Sequence, residues 1–338
     1  MNRFKKKIWI IAGLLAAFTL LAACGNSKEA AGNEPTEAQA PSDQNNGTEA
    51  KPDEGSNEAK TERTLTDAMG HEVKIPAEPK RVIASYLEDN LVALGITPIA
   101  QWSVKGGSVQ DYLQDSLKDV PTIEHDLPFE AVASFQPDLL IMDSASMVEG
   151  NKYSQYEKIA PTYVIGNEVN NDWREELKKV GEIFGMEEEA QAALDKYEQK
   201  AKDAKQQIQQ SIGGESAAAI WLVGGKLFVV SETLSSGAVM YGDLGLTVPS
   251  VVKEISASAT GNWSSISLEK LAELDADHLF FINSDGEGAE VLQDPLWANI
   301  PAVKNGNIYE YGKDTSWLYT GTIANSQIID DVLESLVK

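Results

Sequence analysis

The stretch Pro128-Phe-Glu-Ala-Val-Ala-Ser-Phe-Gln-Pro-Asp-Leu-Leu-Ile-Met142 aligns without gaps with Ser267-Leu-Glu-Lys-Leu-Ala-Glu-Leu-Asp-Ala-Asp-His-Leu-Phe-Phe281, at an offset of 139 residues. Glu130 pairs with Glu269 in this alignment, and apolar positions agree along its length. Each copy has the spacing of a short helix followed by a buried strand. The two halves of the sequence therefore repeat one helix-strand unit.

A second match supports this repeat. Leu94-Gly-Ile-Thr97 corresponds to Leu244-Gly-Leu-Thr247. In the first copy the glycine follows a helical pattern, where it can adopt the left-handed conformation that ends a helix. Two matches in the same order predict two similar lobes.

Strand and helix patterns alternate around these repeats. From Arg81 onward short apolar runs are followed by helical stretches, which indicates βαβ units and parallel sheets. Residues 172–205 and beyond have the pattern of an almost continuous helix, interrupted near Gly185, with one apolar stripe on a charged rod. This helix either lies on the surface of a single domain or bridges two lobes.

We predict an α/β protein of two parallel-sheet-based lobes bridged by one long helix, with a ligand cleft between the lobes. The predicted bounds are 63–170 for the N-terminal lobe, 171–212 for the connecting helices and 213–338 for the C-terminal lobe.

The composition excludes several classes of function. The 338-residue chain has 28 Lys and Arg against 52 Asp and Glu, so its formal net charge is −24. Binding to nucleic acid depends on basic patches, and a chain this acidic is a poor candidate for it. A single cysteine excludes a disulfide framework and a thiolate-rich metal site.

The N-terminus has the pattern of an export signal. A cationic segment precedes the apolar run Ile8–Leu21, which is short for a membrane span. Leu21-Ala-Ala-Cys-Gly25 resembles the lipobox of bacterial lipoproteins, whose signal is cut before a cysteine that then carries a diacylglycerol. We expect residues 1–23 to be a signal peptide and Cys24 to anchor the protein to the extracytoplasmic face of the cell membrane. An uncleaved membrane anchor is the alternative.

The segment after the cysteine has the composition of a tether. Residues 25–62 contain no aromatic residue and no aliphatic residue larger than alanine, so they cannot offset the entropy of ordering. We expect residues 24–62 to be a lipidated cysteine followed by a disordered acidic tether. Loss of the four positive charges of the signal leaves the mature chain at −28.

Four further segments resemble one known family. They are Gly70–Ile83, Ser134–Ile141, Ile159–Val164 and Leu296–Tyr309. Their order and spacing resemble those of periplasmic-type binding proteins for iron siderophores over roughly residues 65–338, and ferric-hydroxamate-binding lipoproteins resemble the chain most. The resemblance implies two α/β lobes, one connecting helix, a ferric siderophore in the cleft and delivery to the permease of an ABC importer.

The resemblance also implies a role for the repeated glutamates. In this family one acidic residue on each lobe engages arginines of the permease, and by motif position these are Glu130 and Glu269. A carboxylate in the first turn of a helix also interacts favourably with the helix dipole, and that is the alternative explanation. Their matched placement in both lobes favours docking.

Aromatic residues mark the expected cleft, because ligands of parallel sheets lie beyond the carboxyl ends of the strands. Any single aromatic residue could instead belong to the core, but several at one rim fit an apolar ligand pocket. The strongest candidates are Trp102, Trp263 and Trp317. The other candidates are Tyr86, Trp221, Tyr241 and Tyr319.

The basic residues limit the charge of the ligand. The mature chain has three arginines, of which Arg63 is placed in the tether, Arg81 opens a strand and Arg174 starts the long helix. Arg174 and Lys105 are the cations expected near the cleft. Strongly anionic chelates would need several converging cations, so we expect a neutral or cationic ferric hydroxamate. A protonated tail could gain from cation–π attraction.

Other functions fit the sequence less well. The iron's six oxygen ligands come from the siderophore, so we expect no cofactor and no protein metal site; the three histidines are isolated from one another. The sequence has no nucleophile elbow or phosphate-binding glycine loop, so we expect no enzyme. A cobalamin- or haem-binding protein of the same scaffold, or a surface sensor or adhesin, stays open as an alternative. We expect a monomer.

Overall fold

The structure, a computed structural model, describes residues 61–104, 107–168, 171–287 and 289–337. The chain divides into two units, Met1–Asn57 and Glu58–Lys338. The predicted signal peptide, Cys24 and nearly all of the tether lie outside the described residues, as does Lys105. The roles expected for these residues therefore stay predictions.

The N-terminal lobe is built on a parallel sheet whose strand order is β3-β6-β7. The strands of this lobe are β1 (Arg63–Thr66), β2 (Glu72–Ile75), β3 (Val82–Ile83), β4 (Gln101–Ser103), β5 (Thr122–Glu124), β6 (Leu139–Ser144) and β7 (Thr162–Gly166). Its helices are α1 (Glu88–Ala93), α2 (Gln114–Leu117), α3 (Phe129–Ser134) and α4 (Lys152–Tyr156). β1 and β2 form an antiparallel hairpin, and β4 pairs with β5 in parallel.

Two helices connect the lobes. α5 (Trp173–Phe184) ends at Gly185, whose φ of 63° is left-handed, and α6 (Glu187–Ile212) follows directly. The predicted interruption near Gly185 is confirmed. α6 buries one stripe of residues at spacings of three and four: Ala190, Leu194, Tyr197, Ala201, Ala204 and Ile208.

The C-terminal lobe has a five-stranded sheet in the order β10-β9-β8-β11-β12. Its strands are β8 (Ala217–Val223), β9 (Lys226–Val230), β10 (Trp263–Ile266), β11 (His278–Asn283) and β12 (Ile308–Gly312). Its helices are α7 (Ser235–Gly237), which continues as a π-helical turn over Ala238–Asp243, α8 (Ser250–Ser256), α9 (Leu268–Leu271), α10 (Pro301–Asn305) and α11 (Thr322–Leu336).

This sheet is only partly parallel. β8, β11 and β12 run in parallel, whereas β9 is antiparallel to β8 and β10 is antiparallel to β9. The reason is the turn at Gly224 and Gly225, whose φ angles of 59° and 70° match a tight hairpin between β8 and β9.

The sequence repeat corresponds to equivalent elements. The bounds of β6 and β11 differ by the same 139 residues, and α3 and α9 begin at equivalent positions. The aspartates that precede the two strands also have the same role, because each accepts hydrogen bonds from backbone N–H groups. Asp138 accepts them from Lys80 and Arg81, and Asp277 accepts one from Ser216. The duplicated architecture is thus present in the folded chain.

The two sheets share a core. Alternate residues of the central strands face opposite sides, because side chains of a strand alternate between faces. Leu139 and Ile141 of β6, and Phe280 and Ile282 of β11, belong to one continuous cluster that includes α5, α6 and α11. The other face of each sheet packs in a cluster of its own lobe.

Arg63 corrects one expectation. It lies in β1 and not in the tether, and its guanidinium donates to the carbonyl oxygens of Glu182 (2.8 Å) and Ile183 (2.7 Å). These carbonyls lie in the last turn of α5, where helical acceptors lack partners within the helix. Strand β1 therefore begins with a residue that caps a connecting helix.

A buried carboxylate joins the two lobes directly. Asp89 of α1 accepts hydrogen bonds from the backbone N–H groups of Ile323 and Ala324, both at 2.9 Å, and from the Tyr112 hydroxyl at 3.0 Å. It thereby caps the N-terminus of α11 from the other lobe. Burial raises the pKa of Asp89 to about 6, although these three hydrogen bonds favour the ionised form.

We expect Asp89→Ala to lower the free energy of unfolding by about 2–3 kcal/mol near neutral pH, because it leaves two helix N–H groups buried without acceptors. Urea denaturation followed by circular dichroism measures the change. Asp115→Ala is the matched control, since Asp115 is an exposed acid in the first turn of α2. Equal stabilities of the two variants would contradict the capping role.

Candidate functional site

A cavity of about 640 Å³ lies between the lobes. The N-terminal lobe contributes Tyr86 and Asp143, which follow or end strands of its parallel sheet, and the start of α5 forms one wall. The opposite wall comes from residues 232–243 of the C-terminal lobe. This is the carboxyl-end position at which ligands of parallel sheets are found.

Three predicted ligand residues line this cavity: Tyr86, Arg174 and Tyr241. Tyr86 is 41% exposed and has a φ of 69°, a strained conformation for a residue other than glycine. Tyr241 is more enclosed, and its hydroxyl donates to the carbonyl oxygen of Ala217 at 3.0 Å. Burial raises the pKa of Tyr241, so its hydroxyl stays protonated.

Trp102 and Tyr319 lie beside the cavity without lining it. The Trp102 ring meets Tyr86 edge-on at a centroid distance of 5.2 Å, and Tyr319 lies 6.5 Å from Tyr86. The Tyr319 hydroxyl donates to the carbonyl oxygen of Val109 at 3.2 Å, which connects the two lobes. Both residues can therefore support Tyr86, and their role as ligand contacts stays a prediction.

Trp221 and Trp263 form a second aromatic group outside the lining. Their rings meet edge-on at 5.9 Å, and the Trp221 Nε1 donates to the Ser284 hydroxyl at 2.9 Å. Asn262 lines the cavity, whereas the adjacent Trp263 is packed against the shared core. Their role as ligand contacts stays a prediction.

The expectation for Trp317 is wrong. Its side chain is 0% exposed and packs in the core, 4.9 Å from Phe280 and 5.3 Å from Tyr311. Its Nε1 donates to Asp331 at 2.8 Å, so its polar atom also has a partner inside the protein. Because Trp317 follows a strand, we expected its side chain at the rim of the cleft, but the side chain points into the core.

Arg174 is already neutralised by acids. Its Nε donates to Glu198 at 2.7 Å and its Nη2 to Asp243 at 3.0 Å. The same Asp243 accepts a hydrogen bond from the Tyr197 hydroxyl at 2.6 Å, and the guanidinium lies 4.4 Å above the Trp173 ring. Two carboxylates thus share this cation, which leaves it little charge to offer an anionic ligand.

The carboxyl groups of the cavity were missed by the sequence reasoning. Asp143, Asp172, Glu176, Glu232 and Asp243 all line it, against Arg174 as the one cation among the described lining residues. Asp143 and Glu176 interact with each other; burial raises the pKa of both, and the charge of Asp143 raises the pKa of Glu176 further. The rule that places ligands at strand ends nominates Asp143, which lies near the end of β6, whereas the aromatic pattern does not include it.

Glu88 is a buried acid that positions Trp102. Its Oε1 accepts a hydrogen bond from the Trp102 backbone N–H at 2.6 Å, while its Oε2 has no partner among the described residues. Burial raises the pKa of Glu88 to about 8, because desolvation outweighs the backbone hydrogen bonds. The carboxyl group is therefore mostly neutral at pH 7.

The described residues contain no group of three or more His, Cys, Asp or Glu side chains arranged to hold a metal ion. Over the same part of the chain, no helix combines the length and apolar character that a membrane span requires.

Comparison with known families agrees with this geometry. A family model described as "Periplasmic binding protein" matches residues 85–315, which span parts of both lobes and all of the connecting helices. The chain belongs to this family. The two-lobe α/β fold expected from the sequence is thereby confirmed for this periplasmic binding protein.

Relatives and solved structures extend the similarity. The iron(3+)-hydroxamate-binding protein FhuD of Bacillus subtilis (strain 168) is 27% identical over 344 residues, with 100% of each chain covered. The probable siderophore-binding lipoprotein YfiY of the same strain is 26% identical over 345 residues, with 97% of each covered. A FhuD-fold periplasmic binding protein component of a ferrichrome ABC transporter from Bacillus subtilis has a TM-score of 0.67 and 26% identity, covering 81% of this chain and 100% of that one.

The repeated glutamates of this periplasmic binding protein are both on the surface. Glu130 lies in the first turn of α3 and Glu269 in the first turn of α9, and both are exposed. The pKa of Glu269 lies below its ordinary value because its own backbone N–H and the Ser267 hydroxyl donate hydrogen bonds to it. Both side chains are therefore placed where a partner could reach them.

We expect Glu88→Gln to change how stability depends on pH. In the wild type the folded state holds the Glu88 proton up to about pH 8, while the unfolded chain releases it near its ordinary pKa. The contribution of Glu88 to the free energy of unfolding is therefore largest at low pH, and it is lost as the pH rises toward 8.

The glutamine variant lacks this loss, so its stability relative to the wild type should rise between about pH 5 and pH 8, by at most about 1.4 kcal/mol per pH unit. Denaturation at several pH values measures it, with the exposed Glu124→Gln as control. Parallel pH profiles of wild type and Glu88→Gln would contradict the buried, neutral carboxyl group.

Proposed function

We propose that this chain is an extracytoplasmic substrate-binding lipoprotein that captures a ferric siderophore of the hydroxamate type and delivers it to the permease of an ABC importer. The charge of the interlobe cavity is the observation that carries the choice of ligand. Five carboxyl groups line it against one arginine, which already binds two acids. This arrangement favours a neutral or cationic chelate over an anionic one.

The shape and lining of the cavity support the same proposal. A volume of about 640 Å³ lies within the usual range for small-molecule pockets, about 300–1,000 Å³. Tyr86 and Tyr241 offer aromatic surface, and hydroxamate iron is already saturated by the oxygen atoms of its chelator. The protein then needs to recognise the outside of the chelate, not the metal.

Further parts of the proposal follow from the family and the sequence. Binding proteins of this family are not enzymes, and we propose that this chain binds its ligand without catalysing a reaction. Cys24 would carry the lipid that holds the mature protein on the outer face of the cell membrane. Glu130 and Glu269 would engage the permease, one from each lobe.

Titration of tryptophan fluorescence tests the ligand. We expect saturable quenching by ferric hydroxamates, and much weaker binding of ferric citrate, a ferric catecholate, haem and cobalamin. Tyr86→Ala should weaken hydroxamate binding by about 10- to 100-fold, because it removes an exposed aromatic contact. Phe129→Ala is the control, since Phe129 is also exposed but lies on α3 outside the cavity.

Tight binding of haem or cobalamin with no response to hydroxamates would replace this proposal by the corresponding alternative. No change of tryptophan fluorescence with any of these ligands would favour a surface sensor or adhesin.

Charge reversal tests the docking surface. The double variant Glu130→Arg/Glu269→Arg should abolish uptake of the ferric hydroxamate by cells while the affinity of the purified protein stays unchanged. The matched control is Glu157→Arg/Glu334→Arg, which reverses two exposed glutamates elsewhere on the two lobes. Lost affinity, or equal loss of uptake in the control, would count against docking at these positions.

A further inference from the structure

We infer that the ligand carries a protonated amine, and that Asp143, Glu176 and Ser235 form the subsite that receives it. This inference rests on the proposed function and adds a chemical group to the ligand that the proposed function leaves open. The subsite lies in the interlobe cavity, which all three residues line.

The carboxyl pair is held in place by the backbone around it. Asp143 lies near the end of β6, and Glu176 lies in the first turn of α5. The Asn171 side chain donates to the carbonyl oxygen of Asp143 at 3.1 Å. Two carboxyl groups in hydrogen-bond contact and half-buried share a proton, because both cannot ionise cheaply side by side.

Ser235 gives an independent indication of a ligand. The residue is 6% exposed, and its Oγ has no hydrogen-bond partner among the residues that the structure describes. Buried hydroxyl groups nearly always have a partner. Its φ of 50° is also unusual for serine, and strain of this kind is concentrated at ligand sites. A hydroxyl oxygen placed at a cavity wall can accept a hydrogen bond from an ammonium group.

The other charges around the pair do not compete for this role. Tyr86 and Asp172 lie near the pair, and Glu232 and Asp243 are further acids of the cavity lining. Arg174 is bound by Glu198 and Asp243. The surroundings therefore add negative charge to the pair, which favours a cation as its partner.

Binding of an ammonium group should displace the shared proton. The cation takes over the neutralisation of the pair, so one proton leaves as the ligand binds. The affinity for an amine-bearing ligand should therefore rise with pH while the pair loses its proton, and the affinity for a neutral ligand should stay flat.

The test compares two ferric hydroxamates that differ in one charge: ferrioxamine B, with its terminal ammonium, and the same chelate with that amine acetylated. Near pH 7.5 we expect the wild type to bind the amine form about tenfold more tightly, which corresponds to about 1.4 kcal/mol. This preference should shrink near pH 5.5, because releasing the shared proton costs more free energy at the lower pH.

Matched variants assign the preference to the subsite. Asp143→Asn/Glu176→Gln keeps the shapes and removes the charge, and it should bind the two ligands equally. Ser235→Ala should weaken the amine form more than the acetylated form. Glu175→Gln, an exposed neighbour on α5, is the control and should keep the tenfold preference.

The outcomes separate this inference from the proposed function. Equal affinities in the wild type, or a preference that survives in Asp143→Asn/Glu176→Gln, would overturn the ammonium subsite and leave hydroxamate binding intact. Failure of both ferric hydroxamates to bind the wild type would overturn the proposed function and the subsite with it. The wild-type comparison does not depend on the folding of any variant.

Discussion

The apolar core that passes from one lobe to the other is the constraint on which the rest of the structure depends. The inner faces of both sheets pack on α5, α6 and α11 in one cluster. Each lobe therefore completes its own core only in the presence of the other. The capping of α11 by Asp89 adds a polar contact at the same junction, and its carboxylate is worth most there because water is excluded.

A shared core also explains why the cavity is formed in this structure. Small-molecule sites are usually largely pre-formed, since ordering a site on binding costs affinity. Here the walls are fixed by elements that the core holds: β6 carries Asp143, α5 carries Arg174 and Glu176, and the π-helical turn carries Tyr241. Large relative motion of the lobes would have to open the cluster that α6 and α11 share.

The sequence predicted the architecture better than the site, for a physical reason. The sequence repeat correctly predicted β6 and β11 at equivalent positions. A helix-strand unit is specified by its local sequence pattern, and both copies of that pattern can be recognised in a single sequence. Site residues depend on the direction of single side chains. Trp317 and Tyr86 both follow strands, yet one points into the core and the other into the cavity.

The same limit explains Arg63 and the carboxyl pair. Nothing local in the sequence shows that Arg63 reaches the carbonyl groups of α5, which lie about 120 residues away. Asp143 and Glu176 come from separate elements, so their contact is a property of the fold and not of either segment. Strand-end position alone could have nominated Asp143; the partner could not be named.

Acidity is the feature whose meaning changes most between sequence and structure. The net charge of −24 argued only against nucleic acid, and the sequence placed only the acids of the tether. In the folded chain several acids are concentrated between the lobes, where desolvation makes ionisation unfavourable for Glu88, Asp89, Asp143 and Glu176. Asp89 is compensated by its hydrogen bonds to α11, and Glu88 by keeping its proton. The cavity pair has only the proton that it shares, so an incoming cation at this pair improves the electrostatics of the protein itself. Such a pair lowers the stability of the free protein, and a positively charged ligand that relieves its repulsion gains affinity from it.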